Sequence, residues 1–75
     1  MRLTCKIGTK NIKVVEVQPY EPLHILLKKL NIEDKNTKFI FNGITYSMSS
    51  ILTFQEIGLT GDARIAINNQ GIAGF

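Results

Sequence analysis

A short leucine-striped segment is the feature of this sequence that most restricts its fold. Leu23, Leu26, Leu27 and Leu30 are spaced i, i+3, i+4 and i+7, so they share one face of a helix. Pro22 would occupy the first helical position, where its missing N–H is not needed. A helix of about ten residues is only marginally stable in isolation. The remainder of the 75-residue chain must therefore supply a flat apolar surface on which this helix packs.

Two strand-like segments precede the helix. Apolar residues alternate from Met1 to Ile7, and turn-forming residues follow at 8–11. The segment 12–17 is rich in β-branched residues, which predicts a hairpin with the first strand. Its alternation is irregular, because Ile12 and Val15 conflict in phase. We therefore expect a bulge near Lys13 or a later start of the strand.

Three further strands are predicted after the helix. Residues 39–41 and 44–46 flank Asn42-Gly43, which is a strong signal for a two-residue hairpin turn. Residues 64–68 alternate again and form the last strand. These segments are short, so each needs its neighbours in a sheet for stability.

The connection before the last strand contains one helical turn. Residues 47–50 indicate a loop because three of them are serine. Thr53 and Glu56 have the spacing of a capping box, and Gly58 is suited to end the turn that they begin.

The element order predicts an α+β domain in which a mixed four- or five-stranded sheet carries one main helix on one face. A single short helix covers only one face, so the other face meets solvent. This hairpin–helix–strands order is the β-grasp arrangement. We expect a domain at 1–68 and a flexible C-terminal tail at 69–75. The sheet residues expected to pack against Leu23, Leu26 and Leu30 are Leu3, Cys5, Val15, Val17, Phe41, Ile65 and Ile67.

Catalytic and metal sites find little support in the sequence. One cysteine and one histidine exclude an internal disulfide and a four-ligand zinc site of Cys and His. Cys5 shares the phase of buried Leu3, whereas His24 lies off the leucine face, so a thiol–imidazole pair is not expected. Glu33-Asp34 is better explained as a solvated turn. We expect no catalytic residues, no metal and no cofactor.

The charge balance allows acidic partners without requiring them. Nine basic and six acidic residues give a net charge of +3. The lysines are spread along the chain and Phe39 and Phe41 are predicted to face inward, so nucleic acid is not favoured. No apolar run approaches the roughly 18 residues of a membrane helix, and the N-terminus lacks a secretory signal. We expect a cytoplasmic monomer, with the nucleus as the alternative compartment.

Several segments of the chain resemble the ubiquitin family. Residues 1–30 can be laid on the family's first hairpin and helix without a gap. The segment 38–43, Lys-Phe-Ile-Phe-Asn-Gly, is similar to the family's Arg-Leu-Ile-Phe-Ala-Gly, and 53–59 is similar to its Thr-Leu-x-Asp-Tyr-Asn-Ile segment. The resemblance extends to about residue 68 and implies a ubiquitin-like β-grasp fold.

The resemblance also implies a protein-binding surface on the solvent-facing side of the sheet. Ile40 stands where the family's central patch isoleucine stands. Gly8, Ala66 and Asn68 replace larger or more apolar residues there, which makes the patch smaller and more polar. Lys6 and Lys38 border the same face, with Thr4 and Arg2 beside them. The predicted partner-binding residues are Lys6, Lys38, Ile40, Gly43, Ala66 and Asn68. Expected partners are receptors for ubiquitin-like domains or activating and conjugating enzymes.

Two alternatives to a docking module remain open. A covalent modifier would be conjugated through Gly74 after a protease removes Phe75, with Ala73-Gly74 at the position of the family's Gly-Gly. A β-grasp sulfur carrier would also activate a C-terminal glycine, but such carriers end in a free Gly-Gly. Both alternatives predict characteristic masses of the native C-terminus.

Overall fold

The computed structural model of the protein describes residues 1–68, and these form a sheet that carries one short α-helix. The sheet has five strands in the order β2–β1–β5–β3–β4. Strand β1 is parallel to β5, and the other neighbouring strands are antiparallel. The elements are β1 Arg2–Ile7, β2 Asn11–Glu16, α1 Ile25–Lys29, β3 Lys38–Phe41, β4 Ile44–Ser47, a 3₁₀ turn Gln55–Ile57 and β5 Ala63–Asn68. The predictions for 69–75, including conjugation through Gly74, lie outside the described residues.

The β3–β4 hairpin confirms the prediction made from Asn42-Gly43. These two residues link Phe41 to its partner Ile44, with φ angles of 54° and 79°. Positive φ at both central positions defines a type I′ turn, whose twist matches that of the flanking strands. The turn thereby sets the register of β3 against β4.

The prediction of a bulge or a late start in β2 is wrong. The strand begins at Asn11 and pairs with β1 in an uninterrupted register from Ile7↔Asn11 to Arg2↔Glu16. This register places Ile12 and Val14 on the solvent-facing side of the sheet. The irregular alternation arises because β2 is an edge strand that carries apolar residues on both of its faces.

The α-helix is shorter than its leucine spacing predicts. Helix α1 begins at Ile25, although Leu23, Leu26 and Leu30 are all buried as expected. The backbone N–H of Leu23 donates to the carbonyl of Leu52 at 2.7 Å, and Pro22 forms a β-bridge with Thr53. This long-range pairing draws Pro22 into a bridge with the connection before β5, and residues 23–24 form a turn that leads into α1, so Pro22 is not the first helical residue. Among residues 1–68 no helix has the length and apolar character to cross a bilayer.

The core includes residues of the segment between β4 and β5 that the sequence analysis did not place there. Met48, Phe54 and Leu59, which lie outside the predicted strands and the leucine helix, are fully buried or nearly so. In contrast, Val15 and Phe41 are only half-buried. Val15 lies on an edge strand and Phe41 lies beside the hairpin turn, so each has neighbours on fewer sides. The remaining predicted core residues are buried, and Phe39 joins them.

The predicted capping box is present in the connection before β5. The backbone N–H of Thr53 donates to Glu56 Oε1 at 2.8 Å, and the N–H of Glu56 donates back to Thr53 Oγ1 at 3.3 Å. Hydrogen bonds from the backbone and hydroxyl of Thr53 lower the pKa of the Glu56 carboxyl. Gly58 ends the turn with φ of 84°. These bonds hold the segment so that Phe54 points into the core.

Candidate docking surface

The side of the sheet opposite α1 is lined by alternate residues of all five strands, and we call it the outer face. Its members are neighbours in the strand register and have the opposite phase to buried Leu3, Cys5, Phe39, Ile65 and Ile67. The outer face consists of Arg2, Thr4, Lys6, Ile12, Val14, Glu16, Lys38, Ile40, Thr45, Ser47, Arg64, Ala66 and Asn68. Within residues 1–68 no helix covers it, because α1 packs on the other side of the sheet.

One row of cross-strand partners runs across the whole outer face. Strand pairing places Ile12 opposite Lys6, Lys6 opposite Ala66, Ala66 opposite Ile40 and Ile40 opposite Thr45. Neighbouring strands lie ~4.8 Å apart, so Ile12 and Ile40 are separated by roughly 14 Å. The row therefore carries two isoleucines, with Lys6 and the small side chain of Ala66 between them.

A groove of about 490 Å³ follows this row. It is lined by Thr4, Lys6, Ile12, Ile40, Arg64, Ile65 and Ala66. Ala66 contributes only a methyl group, so the floor lies below the flanking Ile40 and Lys6 side chains. Ile40 is 40% exposed and Ile12 is 64% exposed, which leaves apolar surface available at both sides of the groove.

The electrostatic character of the outer face is basic. Arg2, Lys6, Lys38 and Arg64 are exposed, and none of them has an ion-pair partner within residues 1–68. The Glu16 carboxylate lies 2.8 Å from the amino group of Met1, which neutralises it locally. The face therefore presents unpaired cations beside apolar side chains.

A smaller hollow of about 240 Å³ continues the groove toward one end of the sheet. It is lined by Arg2, Thr4, Asp62, Ala63 and Arg64. Asp62 Oδ1 accepts a hydrogen bond of 2.8 Å from the backbone N–H of Arg2, so the residue ties β1 to the turn before β5. Thr4 and Arg64 line both the hollow and the groove, which makes the two continuous.

The structure brings together five of the six residues predicted to bind partners. Lys6, Ala66 and Ile40 are consecutive in the cross-strand row, and Lys38 pairs with Asn68 on the neighbouring row. Gly43 instead lies in the β3–β4 turn, at the end of the hairpin. The role of these residues in binding remains a prediction.

Sequence reasoning missed the contribution of Ile12, Val14 and Arg64 to this surface. The predicted bulge in β2 obscured the common phase of Ile12 and Val14. A regular hairpin register, counted outward from the turn at 8–10, places both residues beside Thr4 and Lys6. Arg64 follows from the strict alternation of β5 with buried Ile65 and Ile67.

The residues considered for catalysis, Cys5 and His24, do not form a thiol–imidazole pair in the described part of the chain. Cys5 is fully buried, and this burial raises the pKa of its thiol to about 11. A thiol with such a pKa is protonated near neutral pH and is a poor nucleophile. His24 is exposed and makes no hydrogen bond to Cys5 in the described part of the chain. Within residues 1–68 no group of three His, Cys, Asp or Glu side chains is placed to hold a metal ion.

The hairpin, the helix on one side and the parallel pairing of the first and last strands define a β-grasp domain of the ubiquitin-like type. The chain is similar in structure to the ubiquitin-like domain of an Arabidopsis thaliana protein, determined by solution NMR, with a TM-score of 0.78 and 22% sequence identity. The match covers 96% of this chain and 79% of the other. No protein-family model matches the sequence, and no curated protein is significantly similar to it. The ubiquitin-like fold predicted from the residues is confirmed.

Proposed function

We propose that this domain is a non-enzymatic docking module that binds partner proteins through the groove on its outer face. The observation that carries the proposal is the pair of exposed isoleucines, Ile40 and Ile12, beside a floor formed by Ala66. A partner side chain that enters this groove gains from burying apolar surface at about 25 cal/mol per Å². Exposed apolar surface with a polar rim is typical of interaction sites.

The residues that line the groove support binding better than catalysis. They include no histidine, cysteine, aspartate or glutamate, so the described lining has no general base with an ordinary pKa near neutrality. Lys6, Thr4 and Arg64 can instead donate hydrogen bonds to a partner. Receptors of ubiquitin-like domains, and enzymes that handle such domains, are the partner classes that we propose.

An aspartate at position 40 tests this function. We expect Ile40→Asp to leave the fold intact, because the side chain is exposed on a sheet held together from its other face. The variant should lose partner binding, since a carboxylate would be desolvated in the interface. The measurement is quantitative mass spectrometry of proteins retained on immobilised domain, with circular dichroism to verify folding.

Ile51→Asp is the matched control for this experiment. Ile51 is 84% exposed and lies in the segment that pairs with the residues preceding α1, away from the outer face. We expect this variant to retain the same proteins as the unmodified domain. An unchanged set of proteins on Ile40→Asp would show that the binding surface is elsewhere.

A further inference from the structure

We infer that the groove extends into a subsite on β2 and the adjoining parts of β1 and β5, and that this subsite takes an acidic and apolar segment of a partner protein. The subsite consists of Ile12, Val14, Thr4, Lys6 and Arg64. The inference rests on the proposed docking function and adds the chemistry of the partner.

The apolar part of the subsite is more accessible than Ile40. Ile12 and Val14 are 64% and 56% exposed, compared with 40% for Ile40. The uninterrupted register of β2 puts both side chains on the outer face, next to each other along one strand. Two exposed β-branched residues on one edge strand offer an apolar surface with little rotamer entropy to lose on binding.

The cationic residues of the subsite lie on the strands beside its apolar residues. Strand pairing places Thr4 between Val14 and Arg64, and it places Lys6 between Ile12 and Ala66. Each apolar residue of β2 therefore has a cationic side chain one or two strand spacings away. A partner segment matches this pattern when carboxylates lie close to its apolar side chains.

The acidic groups near the subsite are already engaged. Glu16 is paired with the amino group of Met1, and Asp62 accepts the backbone N–H of Arg2. Arg64 and Lys6 have no ion-pair partner in the part of the chain that the structure describes. Arginine binds a carboxylate with two parallel hydrogen bonds, so Arg64 can recognise an aspartate or glutamate specifically.

A partner peptide fits this chemistry better than a nucleic acid does. No aromatic residue is among the described residues of the outer face, so bases would have no ring on which to stack. The exposed Ile12 and Val14 favour partner side chains that are themselves apolar. Charge complementarity together with this apolar surface selects an acidic, apolar protein segment.

Selection from a displayed library of random peptides tests the inference. Peptides of about 16 residues are long enough, at ~1.5 Å per residue in a helix, to cross the roughly 14 Å between Ile12 and Ile40. We expect the enriched peptides to combine Asp or Glu with Ile, Leu, Val or Phe. Amide chemical shifts of the ¹⁵N-labelled domain should change on β1, β2 and β5 when such a peptide is added.

Charge reversal and polar substitution identify the residues responsible. We expect Arg64→Glu and Ile12→Thr each to weaken binding of the selected peptide roughly tenfold, the loss typical of a contributing interface residue. Lys35→Glu makes the same charge reversal in the loop before β3, and Ile51→Thr makes the same apolar-to-polar change away from the outer face. These two controls should leave the affinity unchanged.

The outcomes separate this inference from the function on which it rests. Peptides that lose binding with Ile40→Asp but not with Arg64→Glu or Ile12→Thr would overturn the subsite and retain the docking function. Peptides that shift amides only outside the outer face, or a library without binders, would overturn both. Tighter binding of a single-stranded oligonucleotide than of any selected peptide would replace the protein segment with nucleic acid and so overturn the inference.

Discussion

Cys5 illustrates how strongly the core determines the chemistry of a single side chain. The residue lies on the inner side of β1, between the outer-face residues Thr4 and Lys6, and it is completely buried. Desolvation penalises its thiolate, which raises the pKa of the thiol to about 11 from an ordinary value of 9.0. The thiol therefore behaves as a small apolar side chain of the core.

This raised pKa predicts a loss of stability at alkaline pH. Above about pH 9 the unfolded chain releases the Cys5 proton, whereas the folded chain retains it until about pH 11. The stabilisation is therefore complete below pH 9, and it falls by roughly 1.4 kcal/mol per pH unit as the pH rises through this window. Urea unfolding of the unmodified protein and Cys5→Ala across the window measures the effect.

Cys5→Ala is expected to be less stable below about pH 9 because it leaves a small cavity, but its stability should fall less steeply above that pH. The two proteins differ only at position 5, so the difference between the two slopes isolates the thiol. Parallel stability curves for the two proteins would contradict a buried thiol with a raised pKa.

The β3–β4 hairpin is the element that positions Ile40 on the outer face. Its type I′ turn holds Phe41 opposite Ile44, which in turn places Ile40 opposite Thr45 and Phe39 opposite Tyr46. The Phe39 and Tyr46 rings stack with centroids 5.5 Å apart on the inner side. A shift of the register by one residue would move Ile40 to the inside and Phe39 to solvent. The turn therefore matters for the docking surface although Gly43 lies outside the groove.

Gly43→Ala is expected to destabilise the domain by about 1 kcal/mol. Gly43 has φ of 79°, a left-handed conformation that an L side chain adopts at a cost of roughly 1–2 kcal/mol. Nothing lies within 4 Å of a Cβ built at this position, so the loss arises from backbone conformation and not from a clash. Thermal or urea unfolding followed by circular dichroism measures it.

Gly61→Ala provides the matched comparison for the turn. A Cβ at Gly61 also meets nothing within 4 Å, but the backbone there does not have the positive φ of Gly43. This variant should be as stable as the unmodified protein, or slightly more stable because alanine restricts the unfolded chain. Equal losses in both variants would mean that φ does not control stability at the hairpin.

At the scale of the whole molecule, the sheet and the connection before β5 share one core. Phe54 and Leu59 pack with Leu23 and Leu26 in a single buried cluster. The backbone N–H of Phe54 donates to the carbonyl of Glu21, which fastens the connection to the segment before α1. The inner side of the sheet is thus covered by α1 and by this connection together, whereas within residues 1–68 no element packs on the outer face.

Phe54→Ala should therefore destabilise the entire domain. We expect a loss of about 3–5 kcal/mol, as for other buried phenylalanines, out of a total of roughly 4–11 kcal/mol for a chain of this length. Phe41→Ala should cost less because Phe41 is only half-buried. Urea unfolding monitored by circular dichroism compares the two. A smaller loss for Phe54→Ala than for Phe41→Ala would show that the connection is not part of the core.

The sequence alone predicts those elements whose structure depends on residues close together in the chain. The Asn42-Gly43 turn, the Thr53–Glu56 capping box and the alternation of β5 each depend on residues a few positions apart, so their structures follow from the residues themselves. The placement of Lys6, Lys38 and Ile40 on one open face follows from alternation and from having a single helix. The ubiquitin-like resemblance added the topology.

Other features depend on contacts between residues distant in the chain. Helix α1 begins late because the backbone N–H of Leu23 donates to the carbonyl of Leu52. The groove also depends on such contacts, because the parallel pairing of β1 with β5 brings Ala66 beside Lys6. The burial of Phe54 requires the segment at 21–24 to lie beside it. Such contacts cannot be predicted from a local pattern, because nothing in either segment alone specifies which distant segment it will pair with. The alignment of Ile12, Lys6, Ala66 and Ile40 in one row is therefore decided by the tertiary structure.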